Sequence, residues 1–157
     1  METLKLTEEW DKTFPKSEKV SPSKVTFTNR YGITLAADLY IPKHAAGKLP
    51  AIAVCGPYGA VKEQCSGLYA QTMAGCGFLT LVFDPSFSGE SGGQPRYVSS
   101  PDINTEDYSA AVDYLTLRED VDPERIGIIG VCGWSGLAIN AVHPLSMPCL
   151  LYTSDAA

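Results

Sequence analysis

The chain reads as an α/β domain in which an N-terminal antiparallel hairpin leads into a mostly parallel sheet flanked by helices. Three observations predict this class. The unbroken apolar runs "LPAIAVC", "FLTLVFD" and "IGIIGVC" have the length and composition of strands covered on both faces. Helix-like stretches separate them, in the order strand–helix–strand–helix–strand, which demands parallel pairing. An earlier segment, "KVTFTN", instead alternates apolar and polar residues like a hairpin strand. At 157 residues the chain suits one ordinary domain.

Residues 1–23 form a polar lead-in with Pro15 and Pro22, expected to pack loosely apart from Trp10 or Phe14. The first strand is "KVTFTN", from Lys24 to Asn29, and "RYG" supplies a turn in which Gly32 can take a positive φ. "ITLAADLYIP" follows as the second strand and stops at Pro42. After the loop "KHAAGK" comes the first buried strand, "LPAIAVC". A helix is expected from about Glu63 to Ala74, closed by Gly75 and Gly77. Beyond "FLTLVFD" and a long Gly/Ser/Pro loop, Asn104 reads as an N-cap with Asp107 as its capping-box partner. Tyr108, Ala111, Val112 and Leu115 then follow the i, i+3, i+4, i+7 spacing of a buried helix face. "VDPER" reads as a turn and "IGIIGVC" as the last buried strand.

Composition narrows the function classes. An apolar fraction of 45% with modest charge is that of a globular chain. A net charge of −6 argues against a nucleic-acid or anionic-membrane partner. No apolar run reaches transmembrane length, and "METLKLTEEWDKTF" has no apolar signal-peptide region, so a cytoplasmic location is the expectation. The cysteines Cys55, Cys65, Cys76, Cys132 and Cys149 are odd in number, and none is spaced C-x-x-C. They read as reduced thiols, and no metal or cofactor is expected.

One cysteine stands apart. Cys132 sits in Gly130-Val131-Cys132-Gly133, directly after the last buried strand. A nucleophile carried on a sharp strand-to-helix turn needs small neighbours, because the backbone comes close to itself there. Gly130 and Gly133 meet that demand, whereas Trp134 stands where such a turn usually has Gly. Ser135, in "GWSG", is the alternative nucleophile. Leu137 occupies the place where G-x-S-x-G needs its second Gly, and Ser135 lies three residues further from the strand end. The bland reading of Cys132 is a buried cysteine at a strand end. Upstream, "VCGPYGA" also ends a strand. Pro57 has no N–H, so the Tyr58 N–H is expected to be one backbone donor to an oxyanion and the Gly133 N–H the second. The same stretch can equally be a plain Gly-Pro turn.

"FDPSFSGESGG" is similar to a D-x-R-G-x-G-x-S loop, with Ser86 in place of the Arg, and "VDPERIGIIG" is the turn and strand that precede such an elbow. In this order the segments resemble the α/β-hydrolase fold family, in particular its bacterial dienelactone-hydrolase-like and peptidase-S15-like group, whose elbow often reads G-I-C-G-W-G-G. The resemblance covers residues 24–142 and implies the first five strands of that fold. It also implies acyl transfer to a thiol. Cys132 would attack the carbonyl of a small-molecule ester, lactone, thioester or amide, and the N–H groups of Gly133 and Tyr58 would hold the oxyanion. A histidine, oriented by an acid, would take and return the proton.

That histidine is not evident. His44 lies in the connection before the third strand, which this topology puts far from the elbow. His143 follows Cys132 by 11 residues, roughly 16 Å along a helix axis at 1.5 Å per residue. In the family the resemblance points to, acid and histidine follow later strands, so catalytic His and acid are expected to be absent from this chain. Residues 143–157 look unlike the family. "CLLYTSDAA", residues 149–157, back-translates to TGT CTC TTA TAC ACA TCT GAC GCT GCC, which resembles a transposase-type sequencing adapter. These residues are therefore expected to be foreign to the gene.

Two readings result. In the first, the intact parent is an acyl hydrolase working through Cys132, and this chain is an inactive fragment. In the second, the parent is a non-catalytic relative in which Trp134 blocks the elbow and the fold only binds a ligand. An unassisted thiol with a pKa of about 8.5 is only about 3% thiolate at pH 7, so a cysteine without its base turns over poorly. A parallel sheet ending on its fifth strand leaves an apolar edge, so the chain is also expected to self-associate through that edge.

Overall fold

The computed structural model describes residues 3–142 and 151–154. Strand β1 (Val20–Thr28) pairs antiparallel with β2 (Thr34–Pro42), joined by a turn in which Gly32 has φ +79°. β3 (Leu49–Cys55), β4 (Leu79–Phe83), β5 (Val121–Val131) and β6 (Leu151–Ser154) run parallel to one another, and β2 runs against β4. The order across the sheet is β1-β2-β4-β3-β5-β6. α1 (Cys65–Gly75) connects β3 to β4, α2 (Pro101–Thr116) connects β4 to β5, and α3 (Trp134–Val142) follows β5.

The strand runs are apolar on both faces because each face is a separate core. On one side Leu81, Phe83 and Ile128 meet Tyr108, Leu115 and Leu137 from α2 and α3. On the other, Val54, Val82 and Ile129 share a smaller core with Ala70 and Ala74 of α1. All the expected strands and helices are present, with differences at their margins. β1 begins at Val20, ahead of the expected Lys24, and carries Pro22. It lies at the sheet margin, where a missing N–H is tolerated. α2 begins at Pro101 with Ser100 as its N-cap, so Asn104 is not the cap. Its Oδ1 instead accepts the Ser100 N–H at 3.0 Å and the Ser99 hydroxyl at 2.9 Å from inside the first turn. Proline at N1 needs no hydrogen bond and has its φ already set for a helix.

"VDPER" belongs to β5 but keeps a turn's local bonding. The register jumps from Leu49↔Val121 to Ala51↔Ile126, and Asp122 accepts both the Glu124 N–H at 3.1 Å and Arg125 Nε at 2.7 Å. The lead-in is not loose. Phe14 is buried with an edge-on Trp10, and Lys12 forms a 2.8 Å ion pair with buried Asp38 of β2. Gln71 of α1 accepts the Ser17 N–H and donates to the Pro15 carbonyl. A sixth strand is also present. Leu151–Ser154 pairs parallel with Ile128–Val131, although its residues fall in the tail expected to lie outside the fold. His143 and Cys149 lie outside the described residues, as do 143–150 and 155–157 as a whole.

Candidate active site

β5 ends at Val131 and α3 starts at Trp134, so the chain turns from strand to helix across two residues. Cys132 is at the apex with φ +59° and an exposed side chain. A residue with a Cβ pays of order 1–3 kcal/mol to sit there, which a cysteine serving only as core filler does not require. Cys55 shows the contrast: it is fully buried, its Sγ lies 3.4 Å from the Phe83 carbonyl, and burial pushes its thiol pKa well up. The glycines beside Cys132 are explained by close approach. A Cβ on Gly130 would come within 2.6 Å of the Trp134 carbonyl oxygen, and one on Gly133 would strike the Tyr58 ring.

Ser135 does not stand at the apex. Its N–H and hydroxyl both donate to the Cys132 carbonyl, at 3.0 and 2.7 Å, so it closes the first turn of α3. Trp134 is 2% exposed and points into the core beneath the turn, with ring centroids 5.6 Å from Tyr58 and 5.9 Å from Tyr108. The Tyr108 hydroxyl lies 3.0 Å from the Ile129 carbonyl and 3.3 Å from that of Cys55, tying the ends of β3 and β5 to the ring that supports Trp134. Trp134 therefore supports the elbow from below, and the exposed thiol is not covered by it. The loop after β3 lies across the elbow through Tyr58, whose ring is half exposed. Among the described residues, neither the Tyr58 N–H nor the Gly133 N–H donates to a backbone carbonyl.

Two buried polar groups anchor the surrounding loops. Asp84, at the end of β4, accepts the Lys62 N–H and Lys62 Nζ, each at 2.8 Å. Lys62 Nζ also lies 2.6 Å from Glu63 and 2.8 Å from Glu90, and Glu90 receives Lys24 at 2.7 Å and the Thr7 N–H at 2.6 Å. Glu63, Asp84 and Glu90 are close enough together to hold a metal ion, but the Lys62 ammonium already sits among them. Burial works against that ammonium, yet the Asp84 charge and the carboxylate hydrogen bonds raise its pKa above the ordinary lysine value. For Glu90, burial is likewise outweighed by the hydrogen bonds from Lys24, Lys62 and the Thr7 N–H, which bring its carboxyl down to about 2.

The second group replaces the arginine of the loop pattern. Ser86 donates its N–H and hydroxyl to Asp107, at 2.9 and 2.7 Å, while Asn29 and Asn104 donate to the same carboxylate at 2.8 and 3.1 Å. Burial raises the Asp107 pKa against these four bonds. Asp107 is therefore a buried tie between the hairpin turn, the β4 loop and α2, where the sequence suggested a capping-box partner. Lys62 was not singled out from the sequence. His44 is exposed just before β3, the end of the sheet away from the elbow, and seven strand residues at about 3.3 Å each put it roughly 20 Å from Cys132.

Comparison with known proteins agrees with this architecture. The model of the X-Pro dipeptidyl-peptidase (S15) family matches residues 31–150. Protein PA2218 of Pseudomonas aeruginosa is 71% identical over 140 residues, which cover 88% of this chain and 38% of that protein. Its crystal structure superposes with a TM-score of 0.88 at 69% identity, covering 90% of this chain and 44% of that one. The thiohydrolase aneE of Aspergillus aculeatus is 36% identical over 125 residues, covering 80% of this chain and 38% of that protein. The structure of DcsB in complex with its substrate analogue matches at TM-score 0.72 and 27% identity, covering 78% of this chain and 41% of that one. The chain thus spans about 40% of the length of these relatives. With an antiparallel hairpin, a parallel sheet in the order 4-3-5-6 and a strained turn after β5, the chain belongs to the X-Pro dipeptidyl-peptidase (S15) family of the α/β-hydrolase fold.

Proposed function

We propose that the full-length protein is an acyl hydrolase whose nucleophile is Cys132, and that residues 1–157 alone are inactive for want of a general base. The observation that carries the reading is the exposed thiol at φ +59° on the β5–α3 turn. A thiolate at Cys132 adds to the carbonyl carbon of an ester, lactone, thioester or amide. The electron pair moves onto the carbonyl oxygen, which the Tyr58 and Gly133 N–H groups receive, each such donor being worth about 10²–10³ in rate. Collapse expels the alcohol, thiol or amine, which takes the proton held by a histidine from the remaining part of the protein. Water then cleaves the acyl-enzyme through the same oxyanion site and restores the thiol. The thiohydrolase among the relatives favours a small-molecule thioester. A free-thiol nucleophile suits a reducing, cytoplasmic setting.

The experiment is intact-mass analysis of the full-length protein after mixing with an acetyl thioester and quenching during turnover. An acetyl adduct on Cys132, lost in Cys132→Ala and kept in Ser135→Ala, is the expected result. Turnover that survives Cys132→Ala overturns the assignment. For the 157-residue chain, Cys132 is expected to be alkylated by iodoacetamide no faster than exposed Cys65.

A further inference from the structure

Beside the elbow lies a cavity of about 250 Å³, formed by the loops that follow β3 and β4. Its walls include Tyr58, Val61, Pro85, Tyr97, Val98 and Trp134, and none of the described residues that line it carries a charge. It adjoins the elbow through two of them: the Tyr58 ring closes against Gly133, and Trp134 opens α3. Pockets for drug-sized ligands start at about 300 Å³, so this one suits a smaller group. At about 30 Å³ for each water-sized unit it holds about eight of them.

The β4 loop is shaped before any substrate arrives. The Phe87 N–H donates to the Gly92 carbonyl at 2.8 Å, and the Tyr97 N–H donates to the Phe87 carbonyl at 2.9 Å. The Arg96 guanidinium donates to the carbonyls of Ser91 and Gly89. Phe87, Gly89, Gly93 and Tyr97 hold the loop's left-handed backbone angles. Glycine adopts these freely. Phe87, at φ +74°, is buried, so the packing of its ring offsets the strain. Tyr97, at φ +61°, is 87% exposed, and its ring has the Arg96 guanidinium 5.9 Å from its centroid. A bulky residue is a steric outlier at such an angle, and this one recovers nothing from the core. Glycine would serve the turn better, so the strained ring has a use outside the packed interior.

We propose that Tyr97 and Val98 are specificity-determining residues: with Tyr58 they receive an uncharged, apolar acyl chain of up to about eight carbons while Cys132 attacks its carbonyl. This rests on the acyl-transfer reading of Cys132 and adds the class of acyl group. The leaving group departs towards the histidine of the remaining part of the protein, which protonates it. The cavity is built by this chain's own loops and takes the carbonyl's other substituent. Each methylene that it removes from water is worth about fourfold in kcat/KM. A charged chain end would lose its hydration there and find no partner.

The test measures kcat/KM of the full-length protein on thioesters of a single thiol with acetyl, butanoyl, hexanoyl and octanoyl groups. The value is expected to rise on the order of tenfold for each added pair of methylenes. A 6-aminohexanoyl thioester should do no better than the acetyl one. Tyr97→Ala and Tyr97→Gly should each flatten the series, lowering the hexanoyl value at least about tenfold more than the acetyl value, and Tyr97→Phe should keep the slope. Val98→Asn is a second wall variant with the same expected effect. The proposal is overturned if the parent series is flat, or if Tyr97→Ala and Val98→Asn both keep its slope. An equal fall for every chain length also overturns it, since the two residues then only hold the loop. So does a changed preference along a series of thiols with the acetyl group fixed, because the cavity then holds the leaving group. Calorimetric binding of N-methylhexanamide to Cys132→Ala reads the cavity without the thiol, and adding Tyr97→Ala should weaken it at least about tenfold. If turnover survives Cys132→Ala while this binding still depends on Tyr97, the nucleophile assignment fails and the cavity stands. If Cys132 is acylated but neither binding nor chain-length preference depends on Tyr97 and Val98, the cavity assignment alone fails.

Discussion

Cys132 holds a backbone angle of +59°, which glycine adopts at no steric cost and a side-chain-bearing residue does not. Cys132→Gly is therefore expected to leave stability unchanged or raise it by up to about 1 kcal/mol in urea unfolding, the relieved strain being partly offset by the greater freedom of the unfolded glycine. Thiol-dependent acyl transfer should vanish in the same variant. A loss of more than 1 kcal/mol would mean that the cysteine is structural. Gly130→Ala should behave in the opposite way. Its Cβ would meet Trp134 O at 2.6 Å and Ser135 Cα at 2.8 Å, both backbone atoms that cannot swing aside, so a loss of about 1–3 kcal/mol is expected. These residues were legible in the sequence because the constraint is local: strand end, apex and glycines lie within four positions. Lys62 and Asp107 were not, because their partners stand far along the chain. Lys62 meets Asp84 across 22 residues, and Asp107 meets Asn29 across 78. No spacing rule announces such pairs.

Between elements, the ion cluster joins the loops after β3 and β4 to strand β1 and the lead-in. Lys62→Met would leave Asp84 buried without its cation, a loss expected to be about 3–5 kcal/mol by calorimetry at neutral pH. Lys62→Met combined with Asp84→Asn should recover part of it. Glu90 supplies the pH dependence. Its carboxyl lies at about 2 in the fold, below the ordinary 4.5, so ionised Glu90 stabilises the fold above about pH 4.5, and that contribution fades as pH falls towards 2. Burial moves Asp38, Asp84 and Asp107 the other way, so the bare acid profile mixes opposite signs. The difference in stability between the parent chain and Glu90→Gln isolates Glu90. It should be largest near pH 6 and approach zero near pH 2, and a difference independent of pH would show that Glu90 acts through packing. Apolar runs made the buried strands readable, since each is covered on both faces. The lead-in was not readable, because a polar stretch that docks through Lys12 and Asp38 has the same composition as one that does not dock. Helix α2 hid its start for a related reason: Asn104 is a good cap by type, but Pro101 and Ser100 lie one turn earlier and set the first turn.

At the scale of the whole molecule, what matters is where the sheet stops. Among the described residues β6 is the outermost strand, with only four residues paired to β5 and no partner on its other side. Such an edge offers a row of backbone donors and acceptors to another chain, and it sits beside strands whose side chains are apolar on both faces. β1, the other margin, is the safer one, since Pro22 and Lys24 interrupt its ladder and its apolar surface. The 157-residue chain is therefore expected to self-associate through β6, with an average mass in light scattering that rises with concentration and a broad thermal transition. Tyr152→Lys combined with Thr153→Lys should suppress that association, because charge on an edge strand opposes its pairing with another chain. Tyr69→Glu, at an exposed position of α1, should leave it unchanged. A monodisperse monomer with a sharp cooperative melt would show instead that the edge is closed, and that six strands are enough to make a self-sufficient fold.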